Sequence, residues 1–265
     1  MDPLAIAIVL VAAGFHAGWN RVLHDTSDRI ATMAVAGLAS GLVLLPVTIA
    51  TSPRQVLPLI VLSALAETAY ALSLSAAYRR GAMALAYPIG RGVAPLLVTL
   101  GGWLILVQLP TPQTIAAAVA LVAGLILVAT SGQHQTQRSA TGFALLVGVC
   151  IASYSLIDAR AVRQVSPVGY LGAVMLLQGA LLTLCTRGDR QRLRKALAPG
   201  LLVAVGSTAA YLLVLLAFQR ADAGRVSTLR EISVLLGVLI ARERSGPRVW
   251  LGAGLVVLGA VLAAL

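Results

Sequence analysis

The sequence predicts an all-α integral membrane protein, its ten transmembrane helices arranged as two inverted five-helix repeats, on three observations. The 265 residues are 59% hydrophobic and only 11% charged, against about 25% charged in a soluble domain, and the mean hydropathy is +0.92. A bilayer crossing takes about 20 apolar residues, so the chain has room for roughly ten if its loops are short. The two halves also align with one another at fixed offsets.

Apolar runs bounded by charge, Gly or Pro place the helices at 4–23, 30–50, 56–78, 83–106, 112–130, 142–162, 167–186, 198–218, 223–241 and 247–265. The first lacks the cationic start of a secretory signal and stays apolar to Leu23, so it reads as a retained helix. The longest gaps run from Ser131 to Thr141 and from Arg187 to Leu197. The first gap divides the chain into a repeat over 1–130, a linker over 131–141 and a second repeat over 142–265. Five helices per half is an odd number, so the second copy enters the membrane in the opposite sense.

The repeat rests on Pro, Gly and Arg coincidences rather than on matched apolar residues. At an offset of 140, residues 75–92 lie over 215–232, with Tyr78 over Phe218, Arg80 over Arg220 and Arg91 over Glu231. At an offset of 135, Pro112 lies over Pro247 and Gly124 over Gly259, and the segment His16 to Asn20 lies over Ile151 to Ser155.

A net charge of +11 would suggest nucleic acid in a soluble protein, but here the cations sit in short gaps between apolar runs and Lys195 is the sole lysine. Topology and lipid headgroups account for them, and nucleic acid is excluded as a partner. With both termini on one side, that side holds five loop cations and the opposite side thirteen. The positive-inside rule therefore places both termini outside the cytoplasm. Cys150 and Cys185 fall in apolar segments and read as small buried hydrophobes, with no disulfide or metal ligation.

Charges inside helices carry the candidate chemistry, because each costs about 2.5 to 3.5 kcal/mol at a helix centre unless it finds a partner or a wet cavity. They are Glu67, Arg91, Arg230 and Glu231, with Asp158 about a turn from a helix end and open to plain solvation there. Arg91 and Glu231 occupy equivalent repeat positions, which predicts a direct or substrate-bridged ion pair; a purely structural bridge is the alternative. Glu67 or Glu231 is a candidate proton carrier, and Glu67 is alternatively a partner of Arg91 or Arg230. Helix 4 gathers Tyr87, Pro88, Gly90, Arg91, Gly92 and Pro95, which predicts a kinked, cavity-lining helix with Tyr87 and Arg91 on one face. A hinge whose arginine bonds freed carbonyls is the plainer reading. His16 and Asn20 share a face of helix 1 beside Trp19, as substrate contacts or as interhelical hydrogen-bond donors. Tyr154 lies one turn from Asp158, as Tyr70 does from Glu67. Gly14 with Gly18, and Gly37 with Gly41, mark close helix packing, and Arg242, Glu243, Arg244 and Arg248 read as a charged loop.

In HAGWN (16–20), AYPIGRGVAPLLV (86–98), RVSTLREISVLLGVLIARER (225–244) and the Gly-rich last helix, the chain resembles EamA-type members of the drug/metabolite transporter superfamily, over nearly its whole length. That resemblance implies two inverted five-helix repeats, a central pocket lined mainly by helices 1, 3, 4, 6, 8 and 9, and helices 5 and 10 packed at the back. It implies transport of small organic solutes by alternating access, often as proton-coupled export, and cytoplasmic termini, contrary to the charge count.

The function expected is a secondary transporter of a small organic metabolite in the cell membrane, ion- or proton-coupled, working as an exporter. Its expected binding residues are His16, Asn20, Tyr87, Arg91, Tyr154 and Arg230, and its coupling or ion-pair residues Glu67, Glu231 and Asp158. The two arginines and several tyrosines point to a substrate with a carboxylate or other anionic group. The alternative is a membrane enzyme acting on a lipid-linked substrate, although HExxH, GxSxG and P-loop patterns are missing from the sequence. No catalytic residue, metal or cofactor is implied. The partners are the substrate and the bilayer, with the chain working as a monomer or homodimer.

Overall fold

A computed structural model of the chain describes residues 1–80, 83–130, 138–233, 236 and 247–265. The side chains at 78, 80, 83–90, 128–130, 138–141 and 249 fall outside that description. The regular structure of the described residues is helical: α1 (Pro3–Asp25), α2 (Arg29–Thr51), a 3-10 turn (Arg54–Val56), α3 (Leu57–Arg80), α4 (Met83–Leu106), α5 (Pro112–Thr130), α6 (Arg138–Ala161), α7 (Pro167–Cys185), α8 (Arg190–Lys195), α9 (Leu197–Phe218), α10 (Ala223–Arg230) and α11 (Pro247–Ala264). Among the described residues, six helices are long and apolar enough to cross a membrane, and shorter apolar helices run over Arg91–Leu106, Pro112–Leu127 and Trp250–Ala264. The chain is a multi-pass membrane protein.

Local chemistry sets the helix starts. Asp2 and Asp28 cap α1 and α2 by accepting from the backbone N–H of Leu4 and Ala31. Pro3 and Pro167 occupy first-turn positions where the missing N–H costs nothing. The gap from Arg187 to Leu197 contains a short helix that apolar periodicity does not reveal. Asp189 accepts from the N–H groups of Gln191 and Arg192, and Arg192, Arg194 and Lys195 lie in the last turn of α8, so capping and dipole supply what hydrophobic burial does not.

Small residues set the tightest packing. A Cβ on Gly37 would stand 2.9 Å from the backbone of Gly179, and one on Gly41 would stand 2.6 Å from Leu176, so α2 and α7 meet almost backbone to backbone. On α5 and α11, a Cβ on Gly124 would stand 2.8 Å from the nitrogen of Val256, and one on Gly259 would stand 2.7 Å from the carbonyl of Ala117. Gly14 and Gly18 correct the sequence expectation. Nothing lies within 4 Å of a Cβ on either, because both fall on the outward face of α1, opposite the buried His16, Ala17 and Asn20. Elsewhere α3 packs on α6 as α1 packs on α9, α3 on α7 as α2 on α9, and α4 on α6 as α1 on α10.

Polar bonds tie one end of the bundle together. The Met1 ammonium donates to the carbonyl of Ala264 at 2.7 Å, Arg220 pairs with Asp2 at 3.3 Å, and Arg225 reaches the carbonyl of Ala263. Gln219 donates to Val162, Gln55 donates to Gln164, and the Ala223 N–H at the start of α10 donates to the Gln108 side chain. Both chain ends therefore lie at one end of the bundle. At the other end Arg192 of α8 grips Asp28 at 2.7 and 3.2 Å. Two minor expectations change: Cys185 is exposed where α7 ends, and only Cys150 is buried; Arg248 sits in the first turn of α11, not in a loop. Arg242, Glu243 and Arg244 lie outside the described residues.

Candidate functional site

A small cavity opens where α1, α2 and α3 meet α6, α7 and α9. Its walls include His16 and Trp19 of α1, Met33 of α2, Glu67 and Tyr70 of α3, Tyr154 of α6, Met175 and Gln178 of α7, and Ser207 and Tyr211 of α9. Helical spacing brings these groups onto inward faces: Trp19 follows His16, and Tyr70 follows Glu67, by three residues. The space amounts to about 60 Å³, enough for a few waters, so the walls must part to admit a metabolite. A larger groove of about 690 Å³ between α3, α4 and α6 is open on the outer surface and lined mainly by aliphatic side chains.

Aromatic rings organise the cavity. Tyr154 meets Tyr70 with centroids 6.0 Å apart at 77°, and meets Tyr211 at 5.6 Å and 82°, the edge-to-face arrangement that ring quadrupoles favour. Behind this wall Asp158 is fully buried. Its carboxylate accepts a hydrogen bond from the Tyr170 hydroxyl at 2.6 Å and another from the Tyr211 hydroxyl. The solvated position expected from its place near a helix end is thereby corrected: α7 and α9 close over that turn of α6 and supply two phenol donors in place of water.

The internal arginines lie elsewhere. Arg91 of α4 bonds through Nε to Glu231 Oε2 at 2.6 Å and through Nη2 to Ser233 Oγ at 3.1 Å. Glu231 is the C-cap of α10, and Arg230, the last residue of that helix, places Nε 3.6 Å from Glu231 Oε1. A cation at a helix C-terminus sits well in the backbone dipole, but the three guanidinium nitrogens of Arg230 make no hydrogen bond among the described residues. All three side chains are essentially without solvent contact. Neither arginine appears among the described residues of the cavity wall.

Of the residues expected at a site, His16, Glu67 and Tyr154 meet at the cavity, and Asp158 reaches it through Tyr211. Arg91, Arg230 and Glu231 form a second, adjoining cluster. Asn20 is buried but turns its amide donor to the His16 carbonyl at 2.8 Å within its own helix. Tyr87 lies on α4, with its side chain outside the described residues. Tyr170, Gln178 and Tyr211 were absent from the expectation. Their signal was available, as isolated polar groups in otherwise apolar helices, but a single polar residue does not say which way it faces. No cluster of potential metal ligands occurs among the described residues.

Residues 138–265 match the EamA-like transporter family. No curated protein matches the chain. A protein known by its crystal structure shares the fold with a TM-score of 0.74 over 98% of each chain, at 18% sequence identity.

Proposed function

We propose that this chain, which bears the EamA-like transporter signature over residues 138–265, is a secondary transporter in the cell membrane. It carries a small organic solute outward by alternating access between two inverted repeats, 1–130 and 142–265, joined by 131–141. The observation that carries this reading is a cavity walled by both halves: five of the ten side chains named above come from α1 to α3 and five from α6, α7 and α9. A pocket at a repeat interface is opened alternately to each side by rocking one half against the other. The packing supports the repeat. Exchanging α1 to α5 for α6, α7, α9, α10 and α11 turns the α3–α6 contact into α1–α9 and leaves α2–α7 and α5–α11 in place. Gly124 and Gly259, matched at an offset of 135, both pack at the α5–α11 contact.

Within this reading Glu67, buried at the cavity without an ion pair among the described residues, is the proton carrier, and the Arg91–Glu231 bridge holds α4 to α10. Purified protein in liposomes tests both roles. A pH gradient drives solute uptake, Arg91→Ala and Glu231→Gln abolish it, and Glu67→Gln loses the pH-driven component while retaining solute exchange. An unchanged pH dependence in Glu67→Gln removes the coupling role, and turnover of a lipid-linked substrate without flux replaces the transporter with the enzyme.

A further inference from the structure

We propose that the cavity takes an organic cation, an alkylammonium group seated against Trp19, Tyr70, Tyr154 and Tyr211 with its charge answered by Glu67. The inference names the cargo class of the proposed transporter and rests on that reading for its physiological meaning, but not for its test. It reverses the anionic preference that the sequence suggests.

Four observations carry it. Glu67 is the one charged side chain among the described residues of the wall, and it is 5% exposed. Both internal arginines, the groups an anion would need, stand off the wall beside Glu231. The described buried core holds three carboxyl groups, Glu67, Asp158 and Glu231, against two guanidinium groups, Arg91 and Arg230, so acidic groups outnumber basic ones there. An anion would enlarge that imbalance, and a buried unpaired carboxylate is costly. Finally, the wall is aromatic and soft. Three tyrosines in edge-to-face contact, an indole and the thioethers of Met33 and Met175 present electron-rich and polarisable surface, which attracts a poorly hydrated cation within about 6 Å of a ring centroid. The Asp158 bond fixes Tyr211, so part of the cage is organised before a ligand arrives.

The test is equilibrium binding in detergent, with no gradient and no flux. Trp19 lies at the cavity while Trp103 and Trp250 are 47% and 62% exposed on the outer surface, so a Trp103→Phe, Trp250→Phe background reports Trp19 emission alone. The titrants are tetramethylammonium, choline, its uncharged isostere 3,3-dimethyl-1-butanol, and benzoate. The cations are expected to give a saturable change, with the isostere at least about tenfold weaker and Glu67→Gln about as damaging to choline binding. Equal binding of the isostere, displacement of choline by benzoate, undiminished binding in Glu67→Gln, or no saturable change with either cation overturns the proposal. The isostere comparison uses no Glu67 variant, so it decides the matter even where Glu67→Gln does not fold. Cation binding without liposome flux retains the ligand class and removes the transporter, whereas flux of other solutes without cation binding does the reverse.

Discussion

Asp158 and Arg91 are two ways of keeping a charge inside a membrane protein. Asp158 is held by neutral donors: the Tyr170 and Tyr211 hydroxyls both point to it. Removing a shared acceptor leaves two buried donors unsatisfied, at about 1 to 3 kcal/mol each. Asp158→Ala is therefore expected to lower stability by about 2 to 6 kcal/mol, seen as earlier thermal unfolding in detergent. Tyr170→Phe removes one bond and is expected to cost less than half as much. Arg91 is held by an opposite charge, and truncating one member of a buried pair strands the other at about 3 to 5 kcal/mol. Arg91→Ala is accordingly expected to be among the most destabilising single changes, by the same measurement. That Arg91 and Glu231 approach each other had a signal in the sequence, their offset of 140. That Asp158 lies under two tyrosines had none, since Tyr170 and Tyr211 are 12 and 53 positions away along the chain.

Between helices, the spacing of small residues says that a close approach is possible, not that it happens. Gly37 and Gly41 face α7, where an added side chain meets backbone, whereas Gly14 and Gly18 carry the same GxxxG pattern on an open face. Gly37→Val is expected to destabilise by about 1 to 3 kcal/mol or more through overpacking. Gly18→Ala is expected to be neutral or mildly stabilising, since Ala is the better helix former. Unfolding midpoints of the two variants, measured side by side, check both. The α2 start adds an electrostatic contact: the Arg192 guanidinium beside Asp28, together with the Ala31 N–H, holds its carboxyl below the usual aspartate range. A lowered value in the folded chain means that this contact contributes fully above the ordinary aspartate range and is lost as pH falls through the folded value. The end of the bundle around residues 28–32 is thus expected to loosen only in acid, with no change near neutrality. Hydrogen exchange there against pH checks it, and Asp28→Asn, which keeps an N-cap side chain, is expected to abolish the acid dependence.

For the whole molecule, the bonds that gather Met1, Asp2, Arg220 and Ala264 put both termini at one end, the side to which the sequence count assigns five cations against thirteen opposite. The positive-inside rule predicts a cytoplasmic α8 end. In a background with Cys150 and Cys185 changed to Ser, an impermeant maleimide is expected to reach Arg54→Cys from outside the cell and Arg190→Cys only from the cytoplasmic face. The reverse pattern would set family precedent above charge count. The sequence by itself determined the apolar segments and their punctuation, because crossing a bilayer is a one-dimensional property: about 20 apolar residues and nothing charged that lacks a partner. It also marked which buried residues were expensive, among them Glu67, Arg91, Arg230 and Glu231. Tertiary structure alone decided which of them share a cavity. Facing is set by helix rotation and packing, and lipid is as apolar as a leucine face, so hydropathy does not distinguish the inside of such a bundle from its outside. For that reason the carboxylate and the tyrosines came to line the cavity while the arginines, which looked like its binding groups in the sequence, stand beside it.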